Sequence, residues 1–475
     1  MTLVQPTAGM IPGEQTKMKL ANDGKLRERF YAFLFLFCLA VTVVPRHSSL
    51  YAQSSLLAPV PPMGWNSWDA YGTTVREEEV KANADVMAAA LKRYGWQYVV
   101  VDIQWYEPDA KAHGYRDGAA LAMDGNGRLI PAVNRFPSSA NGKGFKHLAD
   151  YVHSKGLKFG IHILRGIPRQ AVKDNLAILG TNIHAAEIAD PTSVCVWNTD
   201  MFGVDMSKPG AQAYYNSIVK LYAAWGVDFI KADDMARPYH KDEITALHRA
   251  ILNSGRPMVL SLSPGPAPLS EIEDLRSNAE MWRIEDDLWD NWDSVKAMYK
   301  DAVSWVPLVS AGHWPDADML PLGRIGIRAE RGDDRASRLS PDEQRTMISL
   351  WSMLHSPLIF GGDLASLDPF TLALITNSDV LAIDQHATNT KIAYSKDDLH
   401  IWTSKGQQAG VGYVAVFNFS DSPATVHMKW SQIGFPDPPA RVDELWTHKT
   451  WDPSPAIDTS LAAHSVALYE LESRR

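Results

Sequence analysis

The sequence predicts a (β/α)8 TIM barrel over residues 53–384, followed by a small C-terminal antiparallel β-sandwich over 385–475. Three observations predict it. Between residue 60 and about 380, eight short apolar runs alternate with helical patterns, the signature of a parallel sheet wrapped by helices. Most of these runs are rich in Val, Ile or Phe and lack polar alternation, as strands covered on both faces must. Past Asp384 the pattern changes to alternating apolar and polar residues broken by turn-rich stretches. A doubly wound open sheet is the rival, but no Gly-x-Gly-x-x-Gly follows a strand.

In chain order, the expected barrel strands are Gly64 to Asn66, Tyr98 to Asp102, Leu157 to Ile163, Asp228 to Asp233, Met258 to Leu262, Met281 to Glu285, Val306 to Val309 and Pro357 to Phe360. Amphipathic helices are expected over Glu77–Tyr94, Ala211–Trp225, Lys241–Asn253 and Pro341–Leu354. Glu78 and Glu79 near the start of the first, and Lys92 and Arg93 near its end, suit the helix dipole. Sandwich strands are expected over Leu399–Thr403, Gly412–Phe419, Val426–Trp430, Val442–Trp446 and Ser465–Leu471. One connection is long: Ile163 to Ala211 spans nearly fifty residues, and long structured loops in compact domains are usually functional.

The 475 residues are 45% hydrophobic and 21% charged, enough for one large and one small folded unit and outside the disordered classes. Lys+Arg total 46 against 55 Asp+Glu, for a net charge of -9. An acidic chain without basic runs is a poor partner for nucleic acid or an anionic membrane. Lys25, Arg27 and Arg29 precede an apolar run from Phe30 to Val44, and a small-residue site ends at Ala52. Residues 1–52 therefore read as a leader with a signal peptide, and the protein as exported, periplasmic or secreted, without stable membrane insertion after cleavage. A short N-terminal membrane anchor is the alternative, although the run falls short of the roughly 20 residues of a span. Cleavage would leave Cys195 as the sole cysteine, so no intramolecular disulfide would form.

Four of the expected strands finish at or near acidic residues: Asp102; Asp233-Asp234; Glu285-Asp286-Asp287; and Asp316-Ala317-Asp318. Any one of them alone reads as a helix cap. In a parallel barrel, all four ends open on one mouth, together with Lys231, Arg283 and several of the sixteen tryptophans. Two carboxyl groups in opposite protonation states cleave a glycosidic bond, one attacking or activating water and the other protonating the leaving oxygen. Neighbouring cations keep the attacking group ionised, and tryptophan faces suit a sugar ring. No His-Glu-x-x-His, EF-hand loop or Gly-x-Ser-x-Gly elbow is present, so neither metal nor cofactor is expected.

These residues carry a family resemblance. Pro61-Pro62-Met63-Gly64-Trp65-Asn66-Ser67-Trp68 resembles the opening strand of the α-galactosidases of glycoside hydrolase family 27, the melibiases. Tyr98 to Asp102, Asp150 to Lys158, Trp225 to Lys231, Trp282 to Trp292, Asp316 to Leu320 and Leu350 to Leu364 are similar to further family segments, in the family's order. The resemblance covers about 60 to 470. It implies a retaining exo-glycosidase acting through a covalent glycosyl-aspartate on terminal galactosides. It implies Asp233 as nucleophile and Asp287 as acid/base, with Glu285 and Asp286 as rivals. Trp65, Asp102, Lys231, Arg283 and Asp318 match its sugar-binding positions.

The departures bear on the sugar. Members commonly carry two aspartates after strand 2, holding the 4- and 6-hydroxyls of galactose; here the pair is Asp102-Ile103. An isoleucine cannot accept a hydrogen bond, and a buried hydroxyl left unpaired costs about 1–3 kcal/mol. A ring with hydrogen in place of CH2OH, β-L-arabinopyranose, suits that wall better. After strand 5, Ser261-Leu262-Ser263 stands where members usually place Cys-Glu-Trp, so Ser263 could admit a bulkier 2-substituent such as N-acetyl, or the long loop could fill the space. His162 replaces a common tyrosine, and Met235 a cysteine of a disulfide that many members have. The expected partner is thus a terminal galactoside or arabinopyranoside of a glycan, with no nucleic acid. A catalytically inactive sugar-binding protein is the alternative from another class. Oligomeric state is not legible.

Overall fold

The computed structural model describes residues 56–451 and 454–473, so the leader expectation lies outside the described residues. Eight strands form one sheet: β1 (Met63–Asn66), β2 (Tyr98–Val101), β3 (Lys158–Leu164), β4 (Phe229–Asp233), β5 (Val259–Leu262), β6 (Met281–Arg283), β7 (Trp314–Asp316) and β8 (Leu358–Phe360). Every ladder between sequence neighbours from β1 to β7 is parallel, and β8 pairs in parallel with β1. The circle closes beyond β7: the Leu320 N–H donates to the Ile359 carbonyl at 2.7 Å, and the Leu320 carbonyl accepts from the Gly361 N–H at 3.0 Å. Strand residues are buried on both faces because helices cover the outside and side chains fill the inside.

The expected seventh strand is corrected. Val306–Leu308 is a 3-10 turn that ends the helix Trp292–Trp305, and β7 lies downstream at Trp314–Asp316. Pro307 favours the tight turn. β7 is three residues long and contains Pro315, which sequence rules steer away from strand interiors. β2 and β6 also stop short, at Val101 and Arg283, so Asp102 and Glu285 belong to the loops above them. The helix Pro341–Leu354 begins as patterned, with Ser340 and Glu343 forming reciprocal capping bonds. The run Glu77–Tyr94 divides into an α-helix to Val86, a wider π turn Met87–Leu91 and a 3-10 turn Lys92–Tyr94.

Two connections enlarge the mouth. The one after β3 builds a small antiparallel sheet from Ile167–Pro168, Met201–Val204 and Ala189–Val194. The one after β2 runs from Asp102 to Phe145 with a single 3-10 turn, and the sequence reading did not single it out.

The C-terminal strands are β9 (Thr388–Lys396), β10 (Leu399–Lys405), β11 (Val411–Asn418), β12 (Ala424–Lys429), β13 (Arg441–Glu444), β14 (Lys449–Trp451), β15 (Ala456–Leu461) and β16 (Val466–Glu472). They form an antiparallel sheet ordered β9-β10-β11-β16-β13-β14 and a hairpin-like pair β12-β15. Between them lies an apolar core including Ile401, Val414, Val416, Val426 and Ile457. β9, β14 and β15 carry too many exposed polar residues to stand out in the sequence. The outer face of the large sheet packs on barrel helices: His400 stacks on Tyr299 at 4.1 Å, and the Trp446 indole donates to Ser349 Oγ at 3.0 Å.

Candidate active site

The barrel register sets His162, Lys231 and Ser261 side by side on β3, β4 and β5. Alternation then turns Lys231 and Asp233 to the same side of β4. Lys231 Nζ lies 3.0 Å from Asp102 Oδ2, which also accepts from the Asn66 amide at 2.7 Å. Asp102 Oδ1 accepts from the Ile103 N–H at 2.9 Å. Burial opposes ionisation of Asp102, but His162, Lys231 and Asn66 together hold its carboxyl below the usual range.

Asp233 is held on both oxygens. His162 Nε2 lies 3.0 Å from Oδ2, and the Asp234 amide donates to Oδ1 at 3.0 Å. Burial pushes its carboxyl up, yet the His162 hydrogen bond and the nearby charges of His162 and Lys231 outweigh it, and the carboxyl sits well below the usual range. Ser263 is buried beside it, its Oγ without a partner of good geometry. Lys231 is shifted upward: burial opposes its charge, while Asp102 and Asp233 overcome that.

Across the mouth, Arg283 is fully buried between carboxylates. Its Nη1 meets Asp318 Oδ1 at 2.7 Å, and Nη2 reaches Asp287 Oδ1 at a longer 3.3 Å. Asp318 adopts a left-handed backbone (φ 77°), and its Oδ2 accepts the Leu288 amide at 2.7 Å. Burial and the charges of Asp287 and Asp316 push the Asp318 carboxyl up against the pull of Arg283. Asp287 keeps 39% of its side chain exposed, whereas Arg283 and Asp318 keep 2% each. Of the rivals, Asp286 pairs with Arg237 at 2.7 Å, and Glu285 lies against Asp301, whose carboxyl is pushed up to about 7, first by burial and then by Glu285.

A cavity of about 210 Å³ opens here, lined by Asp102, Lys231, Asp233 and Asp287 together with Trp68, Tyr115, Trp197 and Pro264. Arg237, Asp286, Glu330 and Arg331 complete its wall. This is below the roughly 300–1,000 Å³ of drug-sized pockets and suits one ring. Of the other expected site residues, Trp65, Ile103, His162, Ser263, Arg283 and Asp318 are buried and do not line this cavity. Trp65 donates its indole N–H to the Gly362 carbonyl at 2.7 Å.

The aromatic wall escaped sequence reasoning. Tyr115 comes from the β2 connection and Trp197 from the β3 connection; Tyr115 stacks on Trp68 at 5.9 Å and meets Trp197 at 5.4 Å. The two connections are pinned by Asp200, which accepts from Gln104 at 2.7 Å and from the Tyr106 hydroxyl at 2.9 Å. The length of the second connection was the available signal. Asp69 was missed too: it is fully buried with Oδ2 unpartnered, and burial and the Asp318 charge push its carboxyl well up. Among the described residues, no group of three His, Cys, Asp or Glu side chains is arranged to hold a metal ion.

The family model described as alpha galactosidase A matches residues 60–205 and 195–386, and that of the alpha galactosidase C-terminal beta sandwich domain matches 396–471. The chain belongs to the α-galactosidase family. Its members are glycosidases. An α-galactosidase of Cyamopsis tetragonoloba is 30% identical over 432 residues, covering 89% of each chain. The structure of a family 27 β-L-arabinopyranosidase from Geobacillus stearothermophilus is 51% identical, with a TM-score of 0.86, covering 88% of this chain and 97% of that one. An α-N-acetylgalactosaminidase of Gallus gallus is 26% identical over 414 residues, covering 80% of this chain and 84% of that one. Within the family, the eight-strand barrel and the C-terminal sandwich are the shared architecture, and no helix among the described residues is long and apolar enough to cross a membrane.

Proposed function

We propose that the protein is a retaining exo-glycosidase that releases terminal β-L-arabinopyranosyl residues in preference to α-D-galactosyl residues. The two sugars share ring configuration and differ by one CH2OH group. The observation that carries the choice is Ile103: behind the wall, directly after the cavity-lining Asp102, a buried apolar side chain stands at the position where the family commonly carries a second carboxylate for the 6-hydroxyl. The 51% identity to an arabinopyranosidase supports it. The small cavity, holding one ring, supports exo action.

Asp233 is ionised and held by two donors, as a nucleophile must be. It attacks the anomeric carbon while Asp287 gives its proton to the leaving oxygen, and the aglycone departs. Asp287, now a carboxylate, takes a proton from water, whose oxygen attacks the glycosyl-Asp233 ester and frees both the sugar and the aspartate. The solvent contact of Asp287 gives it the proton exchange this cycle needs. Arg283, shared between Asp287 and the buried Asp318, steadies the negative charge when Asp287 is deprotonated.

The test compares nitrophenyl β-L-arabinopyranoside, α-D-galactoside and N-acetyl-α-D-galactosaminide. The arabinopyranoside is expected to lead in kcat/KM by about tenfold or more, the worth of one unpaired buried hydroxyl. An equal or better galactoside favours the second reading, an exo-α-galactosidase, which the curated relatives support. Ile103→Asp should raise the galactoside-to-arabinopyranoside ratio. Export completes the proposal: a secreted chain beginning at Gln53 is the expected product, and a retained full-length one would refute it.

A further inference from the structure

The residue after Asp233 leaves the strand abruptly. Asp234 sits at φ 58°, in the left-handed region that L-residues other than Asn and Asp rarely enter. That conformation turns the chain out of β4, so that the next two amides, of Met235 and Ala236, both reach the Ser263 carbonyl. The Asp234 N–H, in the peptide plane that joins the two residues, donates to Asp233 Oδ1 at 3.0 Å. Asp233 thus has one donor on each oxygen, His162 on Oδ2 and this amide on Oδ1, which fixes the plane of the carboxylate.

Arg165 holds Asp234 there. Its Nε donates to both the Asp234 carbonyl and Oδ2 at 2.9 Å, and its Nη2 lies 2.8 Å from Oδ2. The other arm, Nη1, pairs with Glu243 at 2.7 Å and reaches Ser193 Oγ at 3.1 Å. Glu243 is fixed in turn by the Tyr215 hydroxyl at 2.8 Å and the Val204 amide at 3.0 Å. Arg165 is 1%, Asp234 5% and Glu243 7% exposed in their side chains, so water does not compete for these contacts. The Arg165 amide also donates to the Asp233 carbonyl at 2.9 Å. None of these three side chains lines the cavity.

We propose that Arg165, acting through Asp234, is a positioning residue for the nucleophile: by holding Asp234 left-handed at its carboxylate and carbonyl, with the Asp233 carbonyl anchored as well, it fixes the peptide plane whose N–H meets Asp233. The inference rests on Asp233 being the nucleophile. The clamp works on backbone geometry, so glycine, which enters this region freely, should do without it, whereas alanine should not.

The experiment compares Asp234→Gly with Asp234→Ala. Both lose the carboxylate; they differ in the ease of the left-handed conformation. The glycine variant should exceed the alanine variant in kcat by about tenfold, the penalty a β-carbon imposes there, with similar KM. The acidic limb of kcat/KM should lie at higher pH in the alanine variant, because Asp233 loses a donor to its charged form while His162, Lys231 and Ser263 still face it. A second pair covers an alanine variant that fails to fold: Arg165→Met should lower kcat, and adding Asp234→Gly should restore part of it. Equal kcat and equal acidic limbs in the first pair, or no recovery in the second, overturn the proposal. Asp233→Ala is run alongside. Its inactivity with an equal Gly/Ala pair removes only the clamp, whereas its retained activity removes the nucleophile assignment itself.

Discussion

The two halves of the barrel mouth hold their carboxylates in different ways. On the β3–β4 side, Asp233 is anchored by two close donors, His162 and the Asp234 amide, with Lys231 beside it. On the β6–β7 side, Asp287 stands on a loop with 39% of its side chain in solvent and touches Arg283 only at 3.3–3.4 Å. Under the proposed mechanism, the difference is how one fold would serve two protonation tasks. A nucleophile gains from a fixed charge and a fixed plane, and burial among donors and cations supplies both. An acid/base group must gain and lose a proton in each cycle, and a strong permanent ion pair would defeat that. The strong pair on this side is instead Arg283 with Asp318, one layer down, at 2.7 Å.

The largest expected effect removes the fixed side altogether. Asp233→Ala should lower kcat by about 10⁴-fold or more on every substrate, since no bond to the sugar forms without it. Loss of the mobile side should be graded. Asp287→Ala should cost about 10²–10⁴-fold on a sugar leaving group that needs protonation, and clearly less on a nitrophenyl glycoside in the first step. Equal losses on both substrates would erase the proposed division of labour.

A finer change sharpens the comparison by pH. Asp233 has a depressed pKa, so it stays ionised through and below the ordinary carboxylate range and loses its charge only as pH falls through the lower folded value. His162→Phe removes a donor to the ionised form, so the acidic limb of kcat/KM should move up by about one unit, with the alkaline limb unmoved. An unmoved acidic limb would show that His162 does not tune Asp233.

The smallest effect lies outside the mouth. Glu280, just before β6, accepts the Leu260 amide at 2.7 Å, yet burial pushes its carboxyl up to about 7. Its folded pKa exceeds the unfolded one, so folding is penalised progressively as pH rises from about 4.5 to 7. Glu280→Gln should therefore stabilise the protein by about 3 kcal/mol at pH 8 and little at pH 4, read as denaturant midpoints at the two pH values.

What the sequence made legible follows the same division. Asp102, Lys231 and Asp233 were legible because they sit in or beside strands whose apolar runs announce them, and a closed parallel barrel puts strand ends together. The choice of Asp287 over Glu285 and Asp286 rests on resemblance, because spacing alone does not say where a loop turns; Glu285 lies against Asp301, while Asp286 shares the cavity wall and pairs there with Arg237. Tyr115 and Trp197 were not legible. Their place depends on two long connections meeting through Asp200, a contact between residues about a hundred apart that no local pattern encodes. β7 was misplaced because Trp-Pro-Asp lacks the β-branched residues that mark its neighbours.

The central claim is tested most directly by trapping the intermediate. A 2-deoxy-2-fluoro-β-L-arabinopyranosyl fluoride should react with the enzyme once, slow its own hydrolysis, and leave the added sugar mass on the peptide that carries Asp233. A label on a different carboxylate, or a product released with inverted anomeric configuration, would contradict the account.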